Sequence, residues 1–493
     1  IIQNPSLVKT RLGNIGSVQA VSKQIQARFG YCPKLFNVEH HRAHLASAFY
    51  ASPFEESAIV SIDGSGDFST IMIGRGKGHS IEILLSQDFP VSVGILYSAT
   101  TQFLGFPYYG DEYKVMGLSP YGSPKFLADF EEVMWLSEKP NEIVQWNSEY
   151  FDFSNGVIDY QDNVPLVATL YNRGRFESVF GLPRKPKEPI TDTHKNIACS
   201  LQRHTENLIF GILSKAYDLT GSKNITIAGG VAQNSVANGK IIRNTSFENL
   251  YIPSAGHDAG ISMGAAQYYF FNTLGNRSRI PLYNANLGVS YTNDEVIELL
   301  KKRKVNFKVL HDAELFPKVA NKIASGKVVG FFQGRSEFGP RALGSRSILA
   351  DPRNANAQKL LNEKIKMRES FRPFAPSILE EYGEEYFEDY QFTPFMERVL
   401  QIRENKRDKI PAVTHVDGSG RLQSVRKSLR PRYHALIKEF YKITGVPILI
   451  NTSFNENEPV VNHPIHALET FLRTDLDVLV IENCLIEKSS HED

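Results

Sequence analysis

Cysteine is scarce. It occurs three times in 493 residues, as the isolated Cys32, Cys199 and Cys484. An odd, scattered set excludes a disulfide framework, and with no C-x-x-C pair it excludes a Cys-rich metal site. A reducing, cytoplasmic setting is therefore expected. No apolar run approaches the ~20 residues that cross a bilayer, so no membrane role is expected. No signal-peptide pattern opens the chain, whose first residue is Ile1 rather than Met. Charge of one sign is not in excess either. The 55 Lys and Arg against 54 Asp and Glu leave a net +1, which provides no overall pull toward nucleic acid or a membrane surface. Internal repeats and low-complexity segments are also missing.

What is present fits a globular protein with a full core: 42% hydrophobic and 22% charged residues. The length suits two or three domains. Residues 17–29 carry Val18, Val21, Ile25 and Phe29 at helical spacing. Residues 34–38 read as a short strand, followed by strands at 58–62, 70–74 and 81–85 and a helix at 94–104. Residues 140–190, rich in Pro, Asn and aromatics without a sustained period, read as an insertion. An amphipathic helix is expected over 193–219, ending at Gly221. Strands at 224–228 and 250–252 each run into a glycine turn and a helix. This alternation over 30–275 implies an α/β domain with its ligand at the carboxyl ends of the strands. Residues 276–290 look like a domain boundary. A second α/β unit begins with a helix at 293–304 and a strand at 306–310.

Three constellations carry chemistry. In Glu39-His40-His41-Arg42-Ala43-His44, His40 and His44 are four apart and share a helix face, so both can bind one transition metal. The zincin pattern H-E-x-x-H needs a Glu after its first His. Here that position is His41, and a metalloprotease loses its base. Asp63, at a strand end before Gly64-Ser65-Gly66, is placed to be a third ligand. Asp258, in Ala255-Gly256-His257-Asp258-Ala259-Gly260, is a fourth candidate or a helix N-cap. Two imidazoles and two carboxylates suit iron, manganese or zinc.

The second constellation is Gly229-Gly230-Val231-Ala232-Gln233-Asn234, where glycines at a strand-to-helix turn let backbone N–H groups approach a phosphate. It lacks the lysine of the Walker loop. The third is a set of cations embedded among Phe, Pro and Gly rather than on a solvated face. It comprises Arg335, Arg341 and Arg346 in one segment, then Lys366 and Arg372, then Arg421 and the downstream Asn451-Thr452-Ser453-Phe454-Asn455. Arg forks bind phosphate and carboxylate oxygens bidentately, so an anion pocket is expected.

In their order along the chain these motifs resemble the O-carbamoyltransferases of antibiotic and nodulation-factor biosynthesis, the NodU/CmcH type that includes the tobramycin carbamoyltransferase. The resemblance rests on His40-His41-x-x-His44-x-Ala46-Ser47-Ala48, Ser61-Ile62-Asp63-Gly64 and Glu112-Tyr113-Lys114-Val115-Met116-Gly117-Leu118. It extends through Gly229-Gly230-Val231-Ala232 and Glu337-Phe338-Gly339-Pro340-Arg341-Ala342-Leu343-Gly344. Phe371-Arg372-Pro373-Phe374-Ala375-Pro376 and Asn451-Thr452-Ser453-Phe454-Asn455 complete it.

The resemblance implies an actin-like ATPase-type N-terminal domain over 1–280, similar to the tRNA threonylcarbamoyl transferase, and a YrdC-like C-terminal domain over 290–493. The C-terminal domain would make carbamoyl-adenylate from carbamoyl phosphate and ATP, with Mg. The N-terminal domain would pass the carbamoyl group to a hydroxyl of a small-molecule acceptor: a natural product, a sugar or a nodulation-factor type. By position, His40, His44, Asp63 and Asp258 would ligate Fe(II) or another divalent metal. Arg341, Lys366 and Arg372 would be catalytic, and Arg421, Asn451 and Ser453 would bind substrate. Gly229, Gly230 and Asn234 would bind the nucleotide. A homodimer is compatible with the resemblance, and no nucleic-acid partner is expected.

Two departures add expectations. The family's opening hairpin with its His-Asp-Ser segment has no counterpart before Ile1, so an N-terminal truncation is expected. Asn196 stands where the family often has Asp, so poor transfer beside a competent adenylation half is expected. A tRNA-modifying transferase would share the metal site but needs a basic surface. An inactive nucleotide-binding scaffold would not need the Arg/Lys pocket.

Overall fold

The computed structural model describes residues 20–152, 159–161, 164–456 and 458–488. The chain divides into two compact units. The first comprises residues 1–233 and 241–281, the second residues 234–240 and 282–493. Among the described residues, no helix is long and apolar enough to cross a membrane.

The first unit is built on a five-stranded sheet. Its strands are β1 (Glu56–Gly66), β2 (Ser69–Lys77), β3 (Ser80–Asp88), β4 (Asn224–Ala228) and β5 (Asn249–Tyr251), in the order β3-β2-β1-β4-β5. The first three form an antiparallel meander, while β4 and β5 run parallel to β1. Ala58, Ile59, Val60 and Ile62 are buried, as the continuous apolar run of a strand covered on both faces requires. Val60 pairs with Ile227 and Ser61 with Ala228. Asp63 and the Gly229-Gly230 turn therefore follow the same end of two adjacent parallel strands.

Helix His40–Phe49 is buried over nearly its whole length, so its apolar side chains and small residues, not a propensity pattern, hold it. The Asp67 carboxylate accepts from His40 N at 2.8 Å and supplies the cap that Glu39 does not. Helix Asp192–Thr220 ends where Gly221 takes a left-handed φ of 65°, the C-terminal signal that the sequence carried. Residues 20–29 are helical as the spacing suggested, and positions 17–19 lie outside the described residues. The strand expected at 34–38 does not form. That stretch is largely exposed, with no sheet edge to satisfy its backbone groups.

The second unit holds a nine-stranded mixed sheet. Its strands are β6 (Lys308–Val309), β7 (Val329–Phe332), β8 (Arg346–Ala350), β9 (Ala375–Leu379), β10 (Arg398–Gln401), β11 (Ser419–Val425), β12 (Ile448–Ser453), β13 (Val478–Ile481) and β14 (Cys484–Glu487). Their order is β6-β14-β13-β7-β8-β12-β9-β11-β10. Helices Asp312–Ala324, Pro431–Thr444 and Pro464–Arg473 pack Val319, Ile323, Leu436, Phe440, Leu468 and Phe471 into its core. The strand expected at 306–310 shrinks to Lys308–Val309, an exposed edge pair. Asn451 and Ser453, expected just after a strand, belong to β12 itself.

Candidate metal centre and cation pocket

Four side chains of the first unit converge. His40 and His44 come from one helix face, Asp63 from β1 and Asp258 from the turn before helix Ile261–Gln267. Their ligand atoms all lie within 4.8 Å of one another. His44 Nε2 is 2.9 Å from Asp63 Oδ2 and 3.4 Å from Asp258 Oδ1. His40 Nε2 is 3.4 Å from Asp63 Oδ2, 3.6 Å from Asp258 Oδ1 and 3.0 Å from His44 Nε2. Donors ~2.1 Å from one ion stand about 3 Å apart around it, and these spacings match the edges of such a coordination shell. The donor set fits a divalent metal. His44 is wholly buried, and Asp258, 52% exposed, forms the solvent side.

The charges agree with the geometry. Burial alone would lower the His44 pKa, yet its hydrogen bonds to Asp258 and Asp63 outweigh burial and raise it. Burial works against the Asp63 carboxylate, but His40 and His44 hold its pKa well below the usual carboxylate range. His41 faces away from this cluster. Its ring bonds Ser61 Oγ and Ser69 O, each at 2.9 Å, and burial drops its pKa to about 4. It is a neutral strut between the helix and β1.

The surrounding backbone is shaped for close approach. Ser92 Oγ donates to Asp63 O at 3.0 Å and anchors the start of helix Val93–Phe103 there. A Cβ on Gly230 would lie 2.9 Å from Asp63 Oδ1, so only glycine lets this turn pass so close. Gly229 has φ +93° and donates its N–H to Gly256 O at 2.7 Å. Asn234 is placed differently. It is grouped with the second unit and caps helix Ser235–Asn238 through Ala237 N. Asn196 Oδ1 accepts from Ser123 N at 2.9 Å and ties its helix to that loop.

In the second unit Arg341, Lys366, Arg372 and Arg421 of the expected cations come near one another, whereas Arg335 is exposed and donates to Leu287 O and Gly288 O. Arg421 shares one face of β11 with Ser419 and Gln423, and burial together with the nearby Arg341, Arg368 and Arg372 disfavours its charge. Gln423 Nε2 donates to Leu343 O at 2.8 Å, and Gln423 Oε1 accepts from Ser377 Oγ at 2.5 Å and Asn451 Nδ2 at 2.9 Å. That chain orients the Asn451 amide, and its Oδ1 is buried with no hydrogen-bond partner among the described residues. Lys366 is 2% exposed. Its Nζ donates to Ser453 O, Ser453 Oγ, Asn455 O and Asn455 Oδ1 at 2.6 to 3.2 Å. Burial, with Arg368 and Arg372 nearby, pushes its pKa well below the lysine value. Arg372 meets Glu369 at 3.4 Å. The loop bearing Arg341 is held by Glu337 Oε1, which accepts from Leu343 N and Ser345 N at 2.7 Å.

The guanidinium groups of Arg341, Arg368 and Arg372 stand close enough to Arg421 for their repulsion to add to the burial that disfavours its charge. Arg346 is not one of them. It donates to Gln333 O, Gly334 O, Ser345 O and Val289 O and stacks on Phe332, so it builds the fold. Arg368 is the residue that sequence reasoning missed. Its signal was its position two residues past Lys366, and its place is set by Asn362 Oδ1 at 2.7 Å and the ring of Phe374.

A family profile described as Carbamoyltransferase N-terminus matches residues 14–267, and one described as Carbamoyltransferase C-terminus matches 320–488. The chain belongs to the carbamoyltransferase family. This carbamoyltransferase is 39% identical over 507 residues to the protein sll1178 of Synechocystis sp., covering 96% of this chain and 80% of the relative. It is 41% identical over 457 residues to the nodulation protein NolNO of Sinorhizobium fredii, covering 92% of this chain and 64% of NolNO. With the nodulation protein NolO of Bradyrhizobium diazoefficiens the identity is 39% over 459 residues, 92% and 79% of the two chains. The crystal structure of T. kodakarensis HypF overlaps 50% of this chain and 38% of its own at 15% identity. Its TM-score of 0.27 is too low to assign a fold.

Proposed function

We propose that this carbamoyltransferase is an ATP-dependent O-carbamoyltransferase with two separate sites, an actin-like transfer domain and a YrdC-like adenylating domain. The observation that carries the reading is the division of labour in donor chemistry. The first unit gathers two imidazoles and two carboxylates, a cation site. The second gathers Arg341, Arg368, Arg372 and Arg421 around a buried lysine, an anion site.

In the second unit, water converts carbamoyl phosphate to carbamate and inorganic phosphate. A carbamate oxygen then attacks the α-phosphorus of ATP, and pyrophosphate leaves; Mg, when bound, would offset the charge of the phosphates. Carbamate and ATP are both anionic, so their approach is repulsive. Arg341, Arg372 and Arg421 offset that charge, and the fixed cations cost no reorganisation as it develops. Ser453 and Asn451 orient the carbamate, with the bare Asn451 Oδ1 accepting from its N–H. Lys366 holds the 453–455 segment in place for this.

In the first unit, the acceptor hydroxyl attacks the carbamoyl carbon of the adenylate, AMP leaves and the hydroxyl proton passes to solvent. Gly229 and Gly230 let the backbone approach the nucleotide. His40, His44, Asp63 and Asp258 would hold Fe(II) or another divalent ion, whose chemistry when bound is to polarise the carbamoyl oxygen as a Lewis acid. The acceptor is a hydroxylated small molecule of natural-product, sugar or nodulation-factor type.

The test is carbamoyl-phosphate-dependent release of pyrophosphate from ATP, followed by a screen of hydroxylated acceptors. Pyrophosphate release without an acceptor supports the two-site reading. Its absence with Mg and divalent metal supplied overturns it.

A further inference from the structure

The loop that leads into β11 carries a side-chain relay that has no role in the chemistry above. Gly418 N donates to His415 O at 2.9 Å and His415 N donates to Ser419 O at 2.8 Å, so residues 415–419 close into one tight turn. Gly418 takes φ +78° in it. Inside the turn, Asp417 Oδ1 accepts from Ser419 N at 3.1 Å and from Ser419 Oγ at 2.6 Å. Ser419 has one hydroxyl hydrogen, and the carboxylate takes it. Ser419 Oγ, 3.2 Å from His415 Nδ1, is therefore the acceptor of that contact, and Nδ1 carries the ring hydrogen. Nε2 is left with a lone pair.

That nitrogen is buried and has no hydrogen-bond partner among the described residues. Its place follows from β11. Side chains alternate across a strand, so Ser419, Arg421 and Gln423 are successive positions of one face, about 7 Å apart. Ser419 holds His415, and Gln423 holds Asn451. Each position leads to a buried atom with no such partner: His415 Nε2, Arg421 Nε and Asn451 Oδ1. Bare buried polar atoms are costly, and a row of acceptor, donor and acceptor calls for a polar ligand along this face. Burial lowers the His415 pKa to about 4, with Asp417 pulling it up and Arg421 pushing it down. The ring is therefore neutral near pH 7, and the Nε2 lone pair is free.

We propose that His415 is the general base of the step that makes carbamate, its Nε2 taking a proton from the water that attacks carbamoyl phosphate, with Ser419 and Asp417 as positioning residues. This rests on the adenylation reading of the second unit and deepens it. The water oxygen bonds to the carbamoyl carbon, and one water proton goes to Nε2. The bond from that carbon to the phosphate oxygen then breaks. The Nε2 proton passes to the departing oxygen, so hydrogen phosphate leaves and the imidazole is neutral again. The other water proton, left on carbamic acid, passes to solvent and gives carbamate. Arg421, beside the base, offsets the charge of the phosphate. A base oriented by a further side chain is the arrangement that activates a hydroxyl nucleophile. Here the serine hydroxyl is committed to Asp417, and water is the nucleophile.

The experiment gives wild type, His415→Ala and His415→Gln two donors with ATP and Mg: carbamoyl phosphate, and ammonium carbamate, which bypasses the hydrolytic step. Phosphate and pyrophosphate release are measured above the rates without protein. Both variants are expected to lose phosphate release from carbamoyl phosphate, and the pyrophosphate release that depends on it, by at least about 100-fold. With ammonium carbamate, their pyrophosphate release should stay within about threefold of wild type, which a merely structural role would not allow. Wild-type rates with carbamoyl phosphate in either variant, or an equal fall with both donors in both variants, overturn the assignment. Wild type releasing pyrophosphate with neither donor counts against the adenylation reading itself. His415 is then decided by phosphate release from carbamoyl phosphate alone. Release present in wild type and lost in both variants supports the assignment, and equal rates overturn it.

Discussion

His44 Nε2 and Asp63 Oδ2 lie 2.9 Å apart, with the imidazole wholly buried. A helix and a strand joined by residues 50–55 thus share one charge-assisted contact. Removing either partner takes away a proposed metal donor and the shortest contact of the other. His44→Ala and Asp63→Ala are each expected to weaken divalent-metal binding by at least about 100-fold, beyond the usual loss for a supporting residue. Calorimetric titration with Fe(II), Mn(II) or Zn(II) measures this. Pyrophosphate release by the second unit should remain, and its loss would mean that the two activities are not separable.

Gly66 makes a sharper test of the same centre. A Cβ there would stand 2.0 Å from His40 Cδ2. Gly66→Ala therefore has to displace the imidazole or β1, at a cost typical of overpacking, about 1–3 kcal/mol. We expect metal affinity to fall tenfold or more while all four donors stay in the sequence. A metal titration equal to wild type would show that the ring has room that the structure does not give it.

Arg421 should separate stability from activity. Its charge is disfavoured by burial and by Arg341, Arg368 and Arg372. Arg421→Met removes a like-charged neighbour from that cluster, so the melting temperature is expected to rise. Pyrophosphate release is expected to drop about 100-fold. Arg421→Lys should rescue little, because an ammonium lacks the planar fork. Calorimetry and a pyrophosphate assay on the same samples check both halves.

The acid limb of stability traces in part to His204. It is 2% exposed and lies against Phe130, and burial lowers its pKa from 6.5 to about 4. The folded protein holds it neutral, whereas the unfolded chain binds a proton below 6.5. Its contribution is therefore present above pH 6.5 and is lost as pH falls toward 4, by up to about 3 kcal/mol. In chemical denaturation, the loss of stability from pH 7 to 4.5 should be smaller for His204→Phe than for wild type. An identical pH slope would assign the acid limb to other groups.

Asn196→Asp tests the origin of the acceptor base. Asn196 uses its Oδ1 to accept from Ser123 N, and an aspartate keeps that acceptor. Stability should change by less than about 1 kcal/mol, and transfer onto a hydroxylated acceptor should rise tenfold or more. Unchanged transfer with intact pyrophosphate release would remove position 196 from the chemistry.

Much of the first unit was legible because its signals are local. The i,i+4 spacing of His40 and His44, the glycine that stops helix Asp192–Thr220 and the apolar runs of β1 and β4 each depend on neighbours a few residues away. The failures were equally local. Residues 34–38 look like a strand by composition, but a strand needs a partner edge, and no composition supplies one. Arg346 and Arg341 are chemically alike within one motif. Only packing shows that both terminal nitrogens of Arg346 bond carbonyls and that its guanidinium stacks on the Phe332 ring, whereas Arg341 stands with Arg421.

By itself, the sequence determined the inventory: which side chains can bind a cation, which can bind an anion, and that both sets sit in α/β surroundings. Tertiary structure decided the groupings. His41 became a strut because its ring meets Ser61 and Ser69, Arg368 came beside Arg421, and Asp258 joined the candidate metal cluster from 195 residues beyond Asp63. Such contacts depend on how strands pair and helices cross, and those are set by burial over the whole core.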